Sequence, residues 1–472
     1  MPLIRYSILS IIGIKLWCSV NNSKLVVCSI NGIFAFSCAL YFEIADFYMN
    51  TSFLYIFSLA FVVFSLNVVK KEYSIFSLFI LSYVLLFYTY PLSENFIEFD
   101  LYYPKWVSIL YAQICISSLH LFMFGYMLFS KTDELKFVLV IKKRNLNITF
   151  LFFFIISLLS CLVMFKSVGG INASSLSRVD LKYVSGSKIY ALWMVYFSSV
   201  FYFLIPIFFK FNRRAKWLVW VFIPVVIAFE YIYFIGLRNR TIPIMHLTSI
   251  IFSIYLIKFI KLDDADENIS YEKLKTKKML VFFSALGLFG IFIRFARGVF
   301  LEGDGELSLS MIDMIKLSIE RGDLGYTSLV YDILIYVDSN NIILNGQSYL
   351  RAVATFIPSA IWPSKPPTTQ SLIGQWLTGV DVVTIPPSIF GDAYINFGVS
   401  GFIIFIFFGF FISKMDGLKN HYVRLSVFSI IFVLIFHFVR GAFVNPLIAL
   451  IFVYLGVFIS ERIMKPRMEM IE

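Results

Sequence analysis

The chain has 472 residues, 59% of them hydrophobic and only 15% charged, with a mean hydropathy of +0.83. A soluble domain carries about a quarter charged residues and hides its apolar side chains in one core. These figures therefore exclude a soluble, a disordered and a nucleic-acid-binding chain, and the formal charge of +11 is read first as membrane topology.

A bilayer core takes about 20 apolar residues per helix, and about twelve such runs follow one another along the chain. They cover 25–44, 51–69, 74–90, 106–129, 148–165, 189–209, 217–236, 241–260, 279–296, 389–413, 425–440 and 442–460. The apolar stretch 6–14, between Arg5 and Lys15, has no small-residue cleavage signature and reads as an interfacial helix rather than a signal peptide. All five cysteines (Cys18, Cys28, Cys38, Cys115 and Cys161) sit in apolar runs and none forms a CxxC. Neither a disulfide framework nor a zinc site is expected.

With the N-terminus in the cytoplasm, about 26 of the 40 basic residues fall on the inner side. Lys142-Lys143-Arg144, Arg213-Arg214 and Lys273 to Lys278 are examples, while the early outer loops carry Glu43, Asp46, Glu94, Glu98 and Asp100. The C-terminus is then cytoplasmic as well. The fold class expected is an all-α polytopic membrane protein of about 12 transmembrane helices. Its organisation reads as a bundle of about nine spans over 1–296, a large periplasmic loop over 297–388 and C-terminal transmembrane helices with a cytoplasmic tail over 389–472. A connection this long is usually functional. Amphipathic patterning predicts short helices within it. The first carries Met311 to Ile319, a second Leu329 to Leu334, a third falls at 346–357 and a fourth, with Trp376, at 369–378.

The kinds of cation differ between the two faces. Lysine dominates inside; arginine is enriched outside, at Arg178, Arg238, Arg240, Arg294, Arg297, Arg321, Arg351 and Arg440. Orientation needs only charge, whereas a guanidinium offers a planar fork that grips phosphate or carboxylate with two hydrogen bonds. Any one of these arginines is equally well read as snorkelling to headgroups. As a set, held at headgroup depth by the tight loop Gly236-Leu237-Arg238-Asn239-Arg240, they match a lipid-linked diphosphate. Glu230 and His246 lie inside adjacent spans at similar depth. Ionisable groups there are functional by default, although Glu230 is equally a candidate for a structural pair with an arginine. His120 reads as a packing histidine.

HExxH, GxSxG and P-loop patterns are all missing, the long loop holds no histidine, and no cluster of histidines and carboxylates is spaced for a metal. No metal and no cofactor are expected. The end of the loop is the most distinctive segment. Prolines 358, 363, 366 and 367 hold its first part extended. Its second part, from Pro386 to Gly401, enters a span with Asp392, Tyr394 and Asn396 on the first helical turns. Ser388 and Asp392 are also natural N-caps there.

At these residues the chain resembles the O-antigen polymerases (Wzy). The likeness lies in Ile357-Pro-x-x-Ile-Trp-Pro-x-Lys-Pro366, then Gly391-Asp392-x-Tyr394-x-Asn396-Phe397-Gly398, with Gly236-x-Arg238 and Ser177-Arg178-x-Asp180. Where relatives often carry Glu after the glycine, this chain has Asp392. The resemblance implies a GT-C-like membrane glycosyltransferase of the bacterial inner membrane. It would polymerise undecaprenyl-diphosphate-linked oligosaccharide repeat units into O-antigen polysaccharide at the periplasmic face. Its partners would be the lipid-linked glycan donor and acceptor and the lipid bilayer, with a chain-length regulator as a further candidate. Transfer to an acceptor hydroxyl with a lipid diphosphate leaving group needs cations for the departing charge and a base for the hydroxyl proton. On this basis Arg178, Arg238, Arg240, Arg297, Arg321, Arg351 and Arg440 bind diphosphate. Asp392, with Asp323 behind it, is the candidate base, and Tyr394 and Asn396 hydrogen-bond sugar.

Two rivals stay open. A lipid-linked oligosaccharide flippase or transporter fits the span count, but repeats and short loops would be expected of it. An O-antigen ligase handles the same donor, and the missing loop histidine favours the polymerase.

Overall fold

The computed structural model describes residues 22–44, 51–69, 74–94, 103–130, 137–167, 189–212, 217–231, 241–257, 260–262, 326–354, 361–380, 383–418, 421–441 and 444–470, with 316, 319 and 357 singly. The apolar stretch 6–14, the run 279–296 and most of the first loop helix lie outside the described residues. What is described is mostly α-helix. Four helical segments are long and apolar enough to cross a membrane: Thr51–Val69, Lys105–Phe129, Lys143–Val163 and Ile389–Asp416. Six shorter apolar helices accompany them. Large side chains such as Ile33, Phe53, Trp220 and Phe407 are more than half exposed, as lipid-facing surfaces are and aqueous ones seldom.

The chain forms two compact units. In the first, α1 (Asn22–Ile44), α2 (Thr51–Val69), α3 (Ile75–Phe87) and the one-turn α4 (Thr89–Ser93) gather around α5 (Lys105–Phe129). The loop helix α10 (Tyr326–Ser339), the span-entering α13 (Ile389–Phe397) and α14 (Ile404–Asp416) complete it. The last two are one apolar run interrupted by a 3₁₀ turn, Gly398–Ile403. Gly398 has φ +61°, where a side chain would be strained. α5 and α14 touch backbone to backbone. A Cβ on Gly125 would run into the Ile406 carbonyl, and one on Gly409 into the Phe122 carbonyl. Small residues permit such close crossings where lipid supplies no hydrophobic drive between helices.

Several polar side chains buried in this unit satisfy one another. His120 bonds through Nδ1 to Asn31 Oδ1 at 2.7 Å and through Nε2 to Ser58 Oγ at 2.8 Å. Ser58 also meets Tyr88 at 2.8 Å, and Asn31 donates to Ser65 at 3.0 Å. His120 is thus a core histidine that ties three helices. At the end of α14, Asp416 accepts from Ser74 Oγ (2.6 Å), Ile75 N (2.8 Å), Phe76 N (3.2 Å) and the Tyr126 hydroxyl (3.0 Å). It caps the free amides of α3, which have no partner inside their own helix.

The second unit is built on α6 (Lys143–Ser167), α7 (Ile189–Phe211), α9 (Thr241–Leu256), α15 (His421–Arg440) and α16 (Val444–Met464). Met245, Ile430, Leu434, Ala449 and Val453 form its apolar centre. α8 (Val219–Tyr231) leans on α6 and α7 through Phe222, whose ring meets those of Phe150, Phe154 and Phe201. The loop helices α11 (Gln347–Ala354) and α12 (Thr369–Thr378) also belong here, α11 from Ser348 onward. α12 is closed by Thr368, whose hydroxyl accepts from Ser371 N, and by Gly379 in the left-handed region. The all-α expectation needs one correction. β1 (Phe137–Ile141) pairs in parallel with β2 (Ile260–Leu262) and antiparallel with β3 (Arg467–Met470). The β-branched run Phe-Val-Leu-Val-Ile is too short to span a membrane and favours a strand instead.

Candidate functional site

Arg178, Arg238, Arg240, Arg297, Arg321 and Asp323 lie outside the described residues. The remaining candidates fall into the two units separately, Asp392, Tyr394 and Asn396 in the first and Arg351 and Arg440 in the second.

In the first unit, Pro386-Pro387 leads into Ser388, a non-glycine residue at φ +67°. That strained conformation lets the Ser388 hydroxyl accept from Gly391 N at 3.0 Å and start α13. Asp392 is on the first turn, where the helix dipole favours an anion. It is 0% exposed. Asn396, one turn on, donates its amide to the Asp392 carbonyl at 2.7 Å and to Asp392 Oδ1 at 3.3 Å. Tyr394 is buried beside them. Helical spacing brings Asp392 and Asn396 together, with the carboxyl facing the amide inside the protein.

In the second unit the proline-rich segment folds back on α11. Lys365 donates its ammonium to the Ile357 carbonyl at 3.2 Å, six residues beyond Arg351. It lies close enough to the Arg351 guanidinium to feel its charge. Loss of water first, and then that guanidinium, hold Lys365 below its ordinary range, and burial lowers Arg351 too. The whole stretch 348–386 contains a single acid, Asp381. The same segment reaches the end of α15. Gln370 at the start of α12 lies beside Gly441, the residue after Arg440, and accepts at its carbonyl from Ile385 N at 2.9 Å. A Cβ on Gly374 would strike the Val383 carbonyl, so α12 and the segment 383–386 are pressed together. Sequence reasoning found Arg351 and Arg440 but not Lys365. Its position in Trp-Pro-Ser-Lys-Pro, where prolines fix the backbone, is the signal that marks it.

A third arrangement crosses three helices of the second unit. His246 on α9 bonds through Nδ1 to Glu230 Oε1 of α8 at 2.7 Å and through Nε2 to Ser198 Oγ of α7 at 2.6 Å. The Tyr202 ring, one turn beyond Ser198, stacks on the imidazole at 3.9 Å and 6°. The sequence marks Glu230 and His246 as buried ionisable residues at matching depth. It gives no sign of Ser198, because serine is common in apolar helices. Among the described residues Glu230 meets a histidine.

Among the described residues, no group of three or more His, Cys, Asp or Glu is placed to hold a metal ion. No protein-family model, no curated protein and no solved structure matches the chain.

Proposed function

We propose that the chain is a membrane-embedded glycosyltransferase of the bacterial inner membrane that joins undecaprenyl-diphosphate-linked repeat units into a polysaccharide at the periplasmic face, as O-antigen polymerases do. The observation that carries this reading is that Lys365 bonds back to the Ile357 carbonyl, just past the helix that carries Arg351, which gathers two cations on a segment almost devoid of acids. Two like charges drawn together cost energy unless an anion joins them. A guanidinium fork beside an ammonium suits a diphosphate in both charge and geometry. In the transfer, these cations stabilise the charge that develops on the departing carrier, which is electrostatic preorganisation.

The twelve-span layout is part of the same proposal, and contacts within each unit support it. β1, β2 and β3 each follow a span that this layout directs inward, so all three are placed on the cytoplasmic side where one sheet can form. Asp416 and Ser74, which bond to each other, are placed on that side too. Tyr111 meets Thr327, Leu344 N donates to the Ile395 carbonyl and Gln370 adjoins Gly441. These three contacts are placed on the periplasmic side. The Trp-Pro and Gly-Asp-x-Tyr-x-Asn resemblance supplies the substrate class.

Surface glycan from a strain lacking the chain tests the proposal. One repeat unit on lipid A–core is expected. Lipid A–core with no repeat unit at all points to a ligase or a flippase, and a normal ladder overturns the assignment.

A further inference from the structure

The proposed transfer needs a group that takes the proton of the acceptor hydroxyl. Three buried or half-buried carboxylates differ in what their oxygens meet. Asp416 receives four donors, and Asp392 is sealed against the Asn396 amide. Glu230 is only half engaged. Its Oε1 is held by His246, while its Oε2 is covered and meets no hydrogen-bond partner among the described residues. Buried acceptors without a donor are costly and rare, and a catalytic role is one of the recognised reasons for them.

The rest of the cluster fixes the geometry of that oxygen. Nδ1 of His246 lies against Oε1 and its Nε2 against the Ser198 hydroxyl, while Tyr202 stacks on the ring face, so the imidazole is held in one orientation. His246 is 1% exposed and the Glu230 side chain 27%. Glu230 is the penultimate residue of α8. On the twelve-span layout this end points to the periplasm, the side on which the lipid-linked substrates lie. No described lysine or arginine pairs with Glu230.

We propose that Glu230 is the proton acceptor of the glycosyl transfer, with His246 and Ser198 as positioning residues. The inference rests on the glycosyltransferase reading above. In the step, the acceptor O–H bond breaks and its proton passes to Glu230 Oε2. The freed oxygen pair forms the new bond to the donor's anomeric carbon. The bond from that carbon to the carrier breaks, and its electron pair leaves on the diphosphate oxygen. No oxidant or further reactant is needed. Oε2 is covered in this state, so the acceptor displaces a neighbouring side chain as it docks.

The test uses the full-length chain in lipid nanodiscs, mixed with undecaprenyl-diphosphate-linked repeat units that have accumulated in membranes of the deletion strain. Product length is read on a gel. Wild-type protein is expected to extend the units; failure to do so sinks the glycosyltransferase reading itself. With wild type active, Glu230→Ala is expected to slow extension by about 100-fold or more, the scale of a lost general base. Added sodium formate should then restore it at least about tenfold by supplying the missing carboxylate. Glu230→Asp should fall between, and His246→Asn, which can keep a donor toward Oε1, should exceed His246→Leu. A Glu230→Ala protein that works at the wild-type rate overturns the inference alone. So does a loss that formate leaves untouched, because that marks a structural pair.

Discussion

Both units bury polar groups among apolar helices, yet they leave them in different states. In the first unit the buried ionisable groups are enclosed by donors or acceptors, even though the Tyr55, Ser118 and Ser413 hydroxyls meet no partner among the described residues. Asp416 has four donors, His120 is bonded at both ring nitrogens, and Asp392 faces an amide. In the second unit they are open. Glu230 has an oxygen with no described donor, and Lys365 bonds to the Ile357 carbonyl. Closed networks in a low dielectric fix helix register and tolerate little change. Open ones hold energy that a ligand can release. On the proposed function, the first unit serves as scaffold and the second carries the chemistry.

The strongest way to break the contrast is to open a closed network. Asp416→Ala strands three donors at the start of α3 and the Tyr126 hydroxyl of α5, and is expected to cost about 3 kcal/mol or more. Thermal denaturation in detergent measures it, and Asp416→Asn, which keeps some acceptor capacity, should cost less. The loss in Glu230→Ala comes next and should appear in extension rate with the unfolding temperature little changed. A wedge between α5 and α14 is smaller. Gly125→Ala pushes a methyl against the Ile406 carbonyl and should cost about 1–3 kcal/mol of stability, the usual scale of overpacking. Removing one rim cation ranks below that. Arg351→Ala should reduce extension about tenfold, mainly by weakening donor binding, and Arg351→Lys should recover part of it. The least effect is expected for Asp392→Asn. An amide there can still face Asn396, so extension should stay within about threefold of wild type. If Asp392→Asn is dead and Glu230→Ala is active, the roles of the two units are reversed.

Much of the helical plan was legible because hydrocarbon thickness leaves a long, plain signal. The expected run 189–209 is observed as Ile189–Phe211, and the loop helix expected at 369–378 is Thr369–Thr378. Its Thr368 cap and Gly379 stop are local chemistry that a sequence displays. The small sheet was not legible, since it joins strands more than a hundred residues apart by backbone bonds that no side-chain pattern encodes. The span 389–413 contains a 3₁₀ break at Gly398 that hydropathy alone cannot register. At the site, residue type singled out Arg351, Arg440, Glu230 and His246. The partners were hidden. Ser198 resembles any helix serine, and the return of Lys365 to the Ile357 carbonyl is a tertiary bond that no pattern encodes. Asp392 was conspicuous for its motif, and its burial against Asn396 follows from packing that the motif does not reveal.

The account depends most on Arg351 and Lys365 gripping the carrier's diphosphate. Native mass spectrometry of the full chain titrated with undecaprenyl diphosphate measures that grip directly. The wild type should bind the lipid, and the Arg351→Ala, Lys365→Ala double variant should bind it at least about tenfold more weakly, the loss of one or two charge-assisted contacts. Equal affinity in the two proteins would contradict the account.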